Sequence, residues 1–320
     1  MKANTANKSA RKNVRSTITS LKWYQDFNRH VELHDIAPRT RQCYLAWVRQ
    51  LHQAFPRRHV TKLRESEVLD FLISLRHERG LKDSTINQAV CALRTLYRDH
   101  LGRDWKGWKS IKIRREEPLP NVLSRRKVGT LLGAVHEGRF RAIFTVMYHC
   151  GLRLSEARNL KPGHIDSSRR VLRVVGGKGN KDREVPISDE LIARLRAFWK
   201  GHRNPEWMFP AAGRGRNRKG VTLAQAMHRS DKPMSTSSVQ SAMRATVLSL
   251  GWDKRHGRPP VTCHTLRHCF ATHLLDAGVS VRLVSEYLGH ASLKPTLVYL
   301  HLTEVSESKA REVLARFPAP

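Results

Sequence analysis

Hydrophobic positions recur at steps of three and four through the first third of the chain. Tyr44, Trp47, Val48, Leu51 and Phe55 mark one helical face, because residues at those offsets stack above one another on a 3.6-residue turn. Val68, Phe71, Leu72 and Leu75 repeat the pattern. So do Ile86, Val90, Leu93, Leu96 and Tyr97, with Asp83 and Ser84 ahead of them as candidate N-caps. Leu21, Tyr24, Phe27 and Val31 predict one more helix. Residues 18–107 therefore read as an all-α bundle of about four helices joined by short loops.

The periodicity then stops. Residues 108–123, WKSIKIRREEPLPNVL, hold two prolines, which cannot continue a helix and push their predecessors to extended geometry, so a linker is expected. From Ser124 onward helical stretches enclose one β signal. Val171 to Val175 and Glu184 to Ile187 are rich in β-branched residues and flank a turn of Gly, Asn and Asp, which predicts a hairpin with Lys178 in its tip. A basic, Gly-rich stretch from Gly213 to Gly220 reads as a mobile loop, and no internal repeat is present. The expected fold is mainly α with a small β-sheet: a helical bundle, then an α+β domain at 124–302.

Charge narrows the partner. Lys plus Arg exceed Asp plus Glu by 59 − 27 = 32 over 320 residues. Self-repulsion of that size works against compactness unless a polyanion neutralises it, and nucleic acid is the first candidate. A membrane surface fits less well, since no apolar run is long enough to span and no basic amphipathic helix dominates one end. Cys43, Cys91, Cys150, Cys263 and Cys269 are odd in number, scattered and without a C-x-x-C pair, so neither a disulfide framework nor structural zinc is expected. Residues 1–17 are basic, with no apolar stretch behind them of the secretory kind. They suit a disordered basic arm or a plain solvated tail, on a cytoplasmic protein. Arg39, Arg41, Arg49, Arg94 and Arg98 lie on or beside the apolar faces of the bundle, where they are candidates for DNA phosphate contact.

The second domain carries the chemistry. Cys150-Gly151-Leu152-Arg153-Leu154-Ser155-Glu156 ends one apolar helix and begins another, and Glu156 is spaced to orient the Arg153 guanidinium. His264-Thr265-Leu266-Arg267-His268 opens an apolar helix running to Asp276, with His264 and Arg267 three apart. Leu288-Gly289-His290 closes the next helix, Gly289 being a natural left-handed cap, and Tyr299 follows nine residues after His290. His264, His268 and His273 with Cys263 and Cys269 resemble a zinc set only superficially. Arg267 would put a permanent cation beside the metal, and His268 and His273 read as packing or hydrogen-bonding residues.

In this order the motifs G-L-R-x-S-E, a lysine in a hairpin turn, H-x-L-R-H, L-G-H and a tyrosine nine residues on resemble the tyrosine recombinases, the phage-integrase-type site-specific recombinases. The resemblance spans residues 18–317 and implies a helical, SAM-like core-binding domain ahead of a catalytic one, in a two-domain clamp on DNA. It implies a strand transferase that needs neither ATP, metal nor any other cofactor. Tyr299 would attack the phosphodiester to give a 3′-phosphotyrosine, and Arg153 and Arg267 would hold its oxygens. His264 would do acid/base work on the phenol, Lys178 would protonate the leaving 5′-oxygen, and His290 would bind the same phosphate. Planar guanidiniums suit this task because they bind oxyanions bidentately and never lose their charge. A phenol with a pKa near 10 needs a base or a positive field, and both are offered here.

The resemblance also implies double-stranded recombination sites as partners and a homotetramer on paired sites, the free chain being allowed as a monomer. Residues 303–320 would form a terminal helix that could pack on its own domain or, as the resemblance favours, dock on a neighbouring subunit. Lys294 and Pro295 depart from the small or hydroxylated residues many members carry there, and Pro295 should start or bend a helix. The long basic stretch from Trp207 to Pro260 loosely fits an insertion of the kind integron integrases carry, which favours an integron- or mobile-element-associated subgroup. Two other functions remain open: a type IB topoisomerase-like DNA-relaxing enzyme, and a non-catalytic architectural DNA-binding protein.

Overall fold

The computed structural model describes residues 18–111, 120–176, 182–213, 220–252, 260–300 and 314–316. The basic arm, half of the linker, the hairpin tip with Lys178, residues 214–219 of the Gly-rich loop and all but three residues of the C-terminal helix expected after Tyr299 lie outside them. The chain divides into two compact units, Met1–Glu117 and Pro118–Pro320.

The first unit is built on α1 (Lys22–Leu33), α2 (Pro38–Ala54), α3 (Glu65–His77) and α4 (Asp83–Arg94). A π-helical turn at Thr95–His100 extends α4, and a short α5 covers Gly107–Ser110. The apolar stripes read from sequence form its core: Phe27, Val31, Val48, Leu51, Val68, Leu75, Val90 and Leu93 are buried. Helix α4 begins at Asp83 with Lys82 as its N-cap, so Asp83 does not cap it. Its carboxylate instead pairs with Arg76 at 2.7 Å. Trp108, read as the start of the linker, packs in this core against Trp105 with ring centroids 5.7 Å apart.

The second unit runs α6 (Arg125–Gly133), α7 (Gly138–Cys150), α8 (Leu154–Arg158), β1 (Ile165–Asp166), β2 (Val171–Val174) and β3 (Arg183–Pro186). Helices α9 (Asp189–His202), α10 (Leu223–His228) and α11 (Thr236–Ser249) follow, then α12 (Cys263–Asp276), α13 (Val281–Leu288) and α14 (Lys294–Leu300). Serines close several N-termini, as Ser188 does by accepting from the Leu191 amide at 3.2 Å. The hairpin pairs Leu172 with Val185 and Val174 with Arg183. The added strand β1, two residues long, is too short to show any periodicity in sequence.

Helix α12 is the centre of this unit. Ten of its residues are buried, from Cys263 to Leu275, and it packs against α7. The start of the unit is tied to it: His273 Nε2 donates to the Leu123 carbonyl at 2.9 Å, which leaves Nδ1 to accept from Tyr148 Oη at 2.9 Å. Gly151 ends α7 in the left-handed region at φ 60°, and a Cβ there would lie 2.4 Å from Cδ1 of Phe270 on α12. Backbone strain and overpacking therefore act together at this turn. Gly151→Ala is expected to lower stability by about 2–5 kcal/mol, read as a fall in the urea midpoint. An unchanged midpoint would show that the turn accepts a side chain.

Candidate active site

The turn at Gly151 delivers Arg153 to the N-terminus of α8 in an extended conformation. Glu156, in the first turn of that helix, folds back on it. Its Oε2 accepts from the Arg153 amide at 2.8 Å and its Oε1 from Arg153 Nη1 at 2.7 Å. Arg183 arrives from β3 on the same strand face as buried Val185, as the two-residue period of a strand requires. Its Nη1 and Nη2 donate to Glu156 at 3.2 and 2.8 Å, and its Nε donates to the Tyr287 carbonyl at 2.7 Å. Arg267 Nη1 stands 3.9 Å from the same carboxylate. Burial alone would raise the Glu156 carboxyl; the hydrogen bonds and charge of Arg183, then those of Arg153, outweigh it and bring the pKa down to about 2.

Arg267 is buried on α12 and finds its partners at two helix ends. Nη1 donates to the Gly151 carbonyl at 2.7 Å and Nη2 to the Leu288 carbonyl at 2.6 Å. Terminal carbonyls of helices lack intrahelical donors and carry the negative end of the dipole, so they suit a buried cation. Burial and then Arg153 lower its pKa to about 9, which leaves it cationic at neutral pH. Arg267 Nη2 also donates to His290 Nε2 at 3.1 Å. Arginine cannot accept, so the His290 proton sits on Nδ1 and is given to Thr296 Oγ1 at 2.7 Å. Burial, then Arg267 and Arg153, take the His290 pKa down to about 4.

Tyr299 projects from α14 into the same pocket and is 4% exposed. Its hydroxyl lies 2.9 Å from Nδ1 of His268. Burial raises the phenol pKa, while the charges of Arg267 and Arg153 pull it the other way. His268 is held down to about 4 by burial, then by His264 and Arg267. His264 is exposed one turn earlier on α12, its ring 5.7 Å from that of His268. Its pKa is lowered by the surrounding protein, then by Arg267 and Arg153.

Arg153, Glu156, His264, Arg267, His290 and Tyr299 thus come together around one pocket, and Lys178 lies outside the described residues. Three members carry no assigned role in the chemistry: Arg183 and Thr296 lie outside the motifs, and His268, the last residue of H-x-L-R-H, reads from sequence as a packing or hydrogen-bonding residue. Arg183 could have been found from its parity with Val185, and His268 from its place one turn beyond His264. Thr296 carried no signal that its hydroxyl would meet His290. Among the four buried charges, three guanidiniums face one carboxylate. Side-chain exposure separates them: Arg153 keeps 20%, against 7% for Arg183 and 3% for Arg267, so Arg153 is the guanidinium most open to a ligand.

The five bundle arginines belong to the first unit and differ among themselves. Arg39 is exposed. Arg41 pairs with Glu32 at 2.9 Å and donates to Asn28 at 3.1 Å, and Arg49 donates to Tyr24 Oη at 2.9 Å. Arg94 donates to the Trp108 carbonyl at 2.9 Å and lies over that indole at 5.9 Å, so it fastens the end of the bundle. Arg98 pairs with its neighbour Asp99 at 2.6 Å.

A helical first unit followed by a mainly helical unit with a small sheet is also the architecture of solved integrases. The Tn1549 transposon integrase in complex with transposon right end DNA superposes with a TM-score of 0.68 over 92% of this chain and all of that one, at 18% identity. A lambda integrase dimer bound to a core site gives 0.67 over 85% of this chain and 94% of that one, at 14% identity. Sequence relatives include a putative integrase/recombinase, y4qK, of Sinorhizobium fredii, 36% identical over 81% of this chain and 78% of that protein. The tyrosine recombinase XerA of Thermococcus kodakarensis is 33% identical over 90% and 93%. Residues 121–305 match the phage integrase family, and residues 23–107 match the phage integrase N-terminal SAM-like domain. The chain belongs to the phage integrase family and is a tyrosine-type site-specific recombinase.

The ionised Glu156 stabilises the fold through a depressed pKa. That contribution is complete above the unfolded value of 4.5 and is lost as pH falls through about 2. Glu156→Gln should therefore lower unfolding free energy by roughly 3 kcal/mol at pH 7. The difference from wild type should shrink as pH drops below about 4.5, measured by denaturant titrations at pH 7, 4 and 3. A difference that does not change with pH would overturn the assignment.

Proposed function

We propose that this chain cuts and rejoins double-stranded DNA at specific sites through a 3′-phosphotyrosine on Tyr299. The observation that carries the reading is a pocket with three guanidiniums against one carboxylate, into which a buried phenol projects. A phosphodiester supplies the missing negative charge, and its oxygens gain more as a fifth ligand approaches phosphorus. Preorganised donors aimed at that charge are commonly the largest catalytic contribution.

In the proposed step Tyr299 Oη forms a bond to phosphorus while the bond to the 5′-oxygen breaks. Arg153 and Arg267 hold the non-bridging oxygens. His264 takes the phenol proton and returns it on reversal, and Lys178 protonates the leaving 5′-oxygen. His290 shares the phosphate, whose arriving negative charge favours proton uptake by an imidazole that is neutral in the empty pocket. Attack by a 5′-hydroxyl on the phosphotyrosine reverses the step, so the ester energy is kept and neither ATP nor metal is needed.

Residues 18–107 are proposed as the core-binding domain and 124–302 as the catalytic one, with four protomers on two paired sites. Arg39, Arg41, Arg49, Arg94 and Arg98 are proposed phosphate contacts. DNA as partner is supported by the surplus of positive charge and by the DNA bound in the Tn1549 and lambda integrase neighbours.

Incubation with nicked site DNA should trap a covalent protein–DNA adduct on denaturing gels, and Tyr299→Phe should abolish it. An adduct that survives the change would falsify the assignment of the nucleophile. If each protomer neutralises about eight phosphates, log affinity should fall against log salt with a slope of roughly −7. A flat response in a binding titration would show that the surplus charge serves something other than DNA.

A further inference from the structure

Helix α14 buries only two side chains, Thr296 and Tyr299, while Leu297 and Leu300 are exposed. Both buried residues end in a hydroxyl, and each hydroxyl meets an imidazole: Thr296 meets His290 at 2.7 Å and Tyr299 meets His268 at 2.9 Å. The seven-residue helix is therefore fastened to the pocket by two polar contacts on either side of Arg267. His264 does not take part in this fastening; its ring faces His268 edge-on.

We infer that His268 is the positioning residue of the nucleophile, its neutral Nδ1 accepting the Tyr299 hydrogen bond and holding the phenol oxygen within reach of the arginine pair. The inference rests on the reading of Tyr299 as the attacking group. It assigns to His268 the task of orientation and leaves proton transfer to His264. His268 follows Arg267 directly on a buried helix and so keeps phenol and guanidinium in register. Misplacing a reacting atom by about 1 Å can cost on the order of 100-fold in rate.

The test uses the DNA-free protein and N-acetylimidazole, with O-acetylation of each tyrosine followed by peptide mass spectrometry. Tyr148, whose hydroxyl is held by His273 in the same unit, reports general loosening. His268→Leu should acetylate Tyr299 about 5- to 10-fold faster than wild type with Tyr148 unchanged, as expected for loss of one hydrogen bond. His268→Asn places a carbonyl oxygen near the position of Nδ1 and should restore the protection. Single-turnover cleavage of nicked site DNA should fall about 10-fold or more in the leucine variant and recover in the asparagine variant, at unchanged DNA affinity.

Equal Tyr299 reactivity in wild type and His268→Leu would overturn the inference. So would loosening of Tyr148 in both variants, which would make His268 a structural residue only. Should Tyr148 loosen in the leucine variant alone, the asparagine variant decides: retained protection supports the inference and lost protection ends it. Acetylation needs no DNA, so a surviving Tyr299→Phe adduct would remove the nucleophile without altering this result.

Discussion

Ionised Glu156 sits out of water among three guanidiniums, and much of the second unit follows from the need to satisfy those charges. A buried charge is costly unless it is paired and its remaining donors or acceptors are filled. Glu156 meets that condition through Arg153 and Arg183, each giving it two hydrogen bonds. Arg267 is too far from the carboxylate to share it fully and takes the carbonyls that end α7 and α13 instead. Those helices must therefore stop where they do, and glycine stands at both stops: Gly151 and Gly289 have φ near 60°. A Cβ on Gly289 would approach Cδ of Arg183 to 3.0 Å, so that glycine also makes room for the pairing.

The arrangement leaves positive charge unbalanced, which is unfavourable for an empty pocket and favourable for one that receives a phosphodiester. The neighbouring histidines respond to the same field. His264, His268 and His290 all have lowered pKa values, so none adds to the repulsion at neutral pH. The phenol is subject to opposed influences, burial favouring its protonated form and the guanidiniums its anion. In the proposed reaction, substrate binding and proton movement are thereby coupled at one point.

Stability and function meet on α12. It supplies the central packing of the unit against α7, receives the start of the unit through His273, and carries His264, Arg267 and His268. By contrast, α14 has two buried side chains and an exposed apolar flank. Arg267 thus stands on the helix with ten buried residues, and the phenol on one with two.

Much of this was legible in the sequence, for a physical reason. Helical periodicity, the hairpin and the left-handed glycine caps are local properties, so the bundle, strands β2 and β3 and the ends of α7 and α13 could be read from short windows. The order of Arg153, His264, Arg267, His290 and Tyr299 could be read too, because each sits in a recognisable local frame. Partnership between distant segments could not, although the local pair of Arg153 and Glu156 could. Arg183 reads as one cation among many, and nothing in the pattern pairs His268 with Tyr299 or Arg94 with the Trp108 carbonyl. Chain pattern determined which residues sit on which element. Only the tertiary structure decided which donor meets which acceptor, because that depends on distances between segments more than a hundred residues apart, as between Gly151 and Arg267.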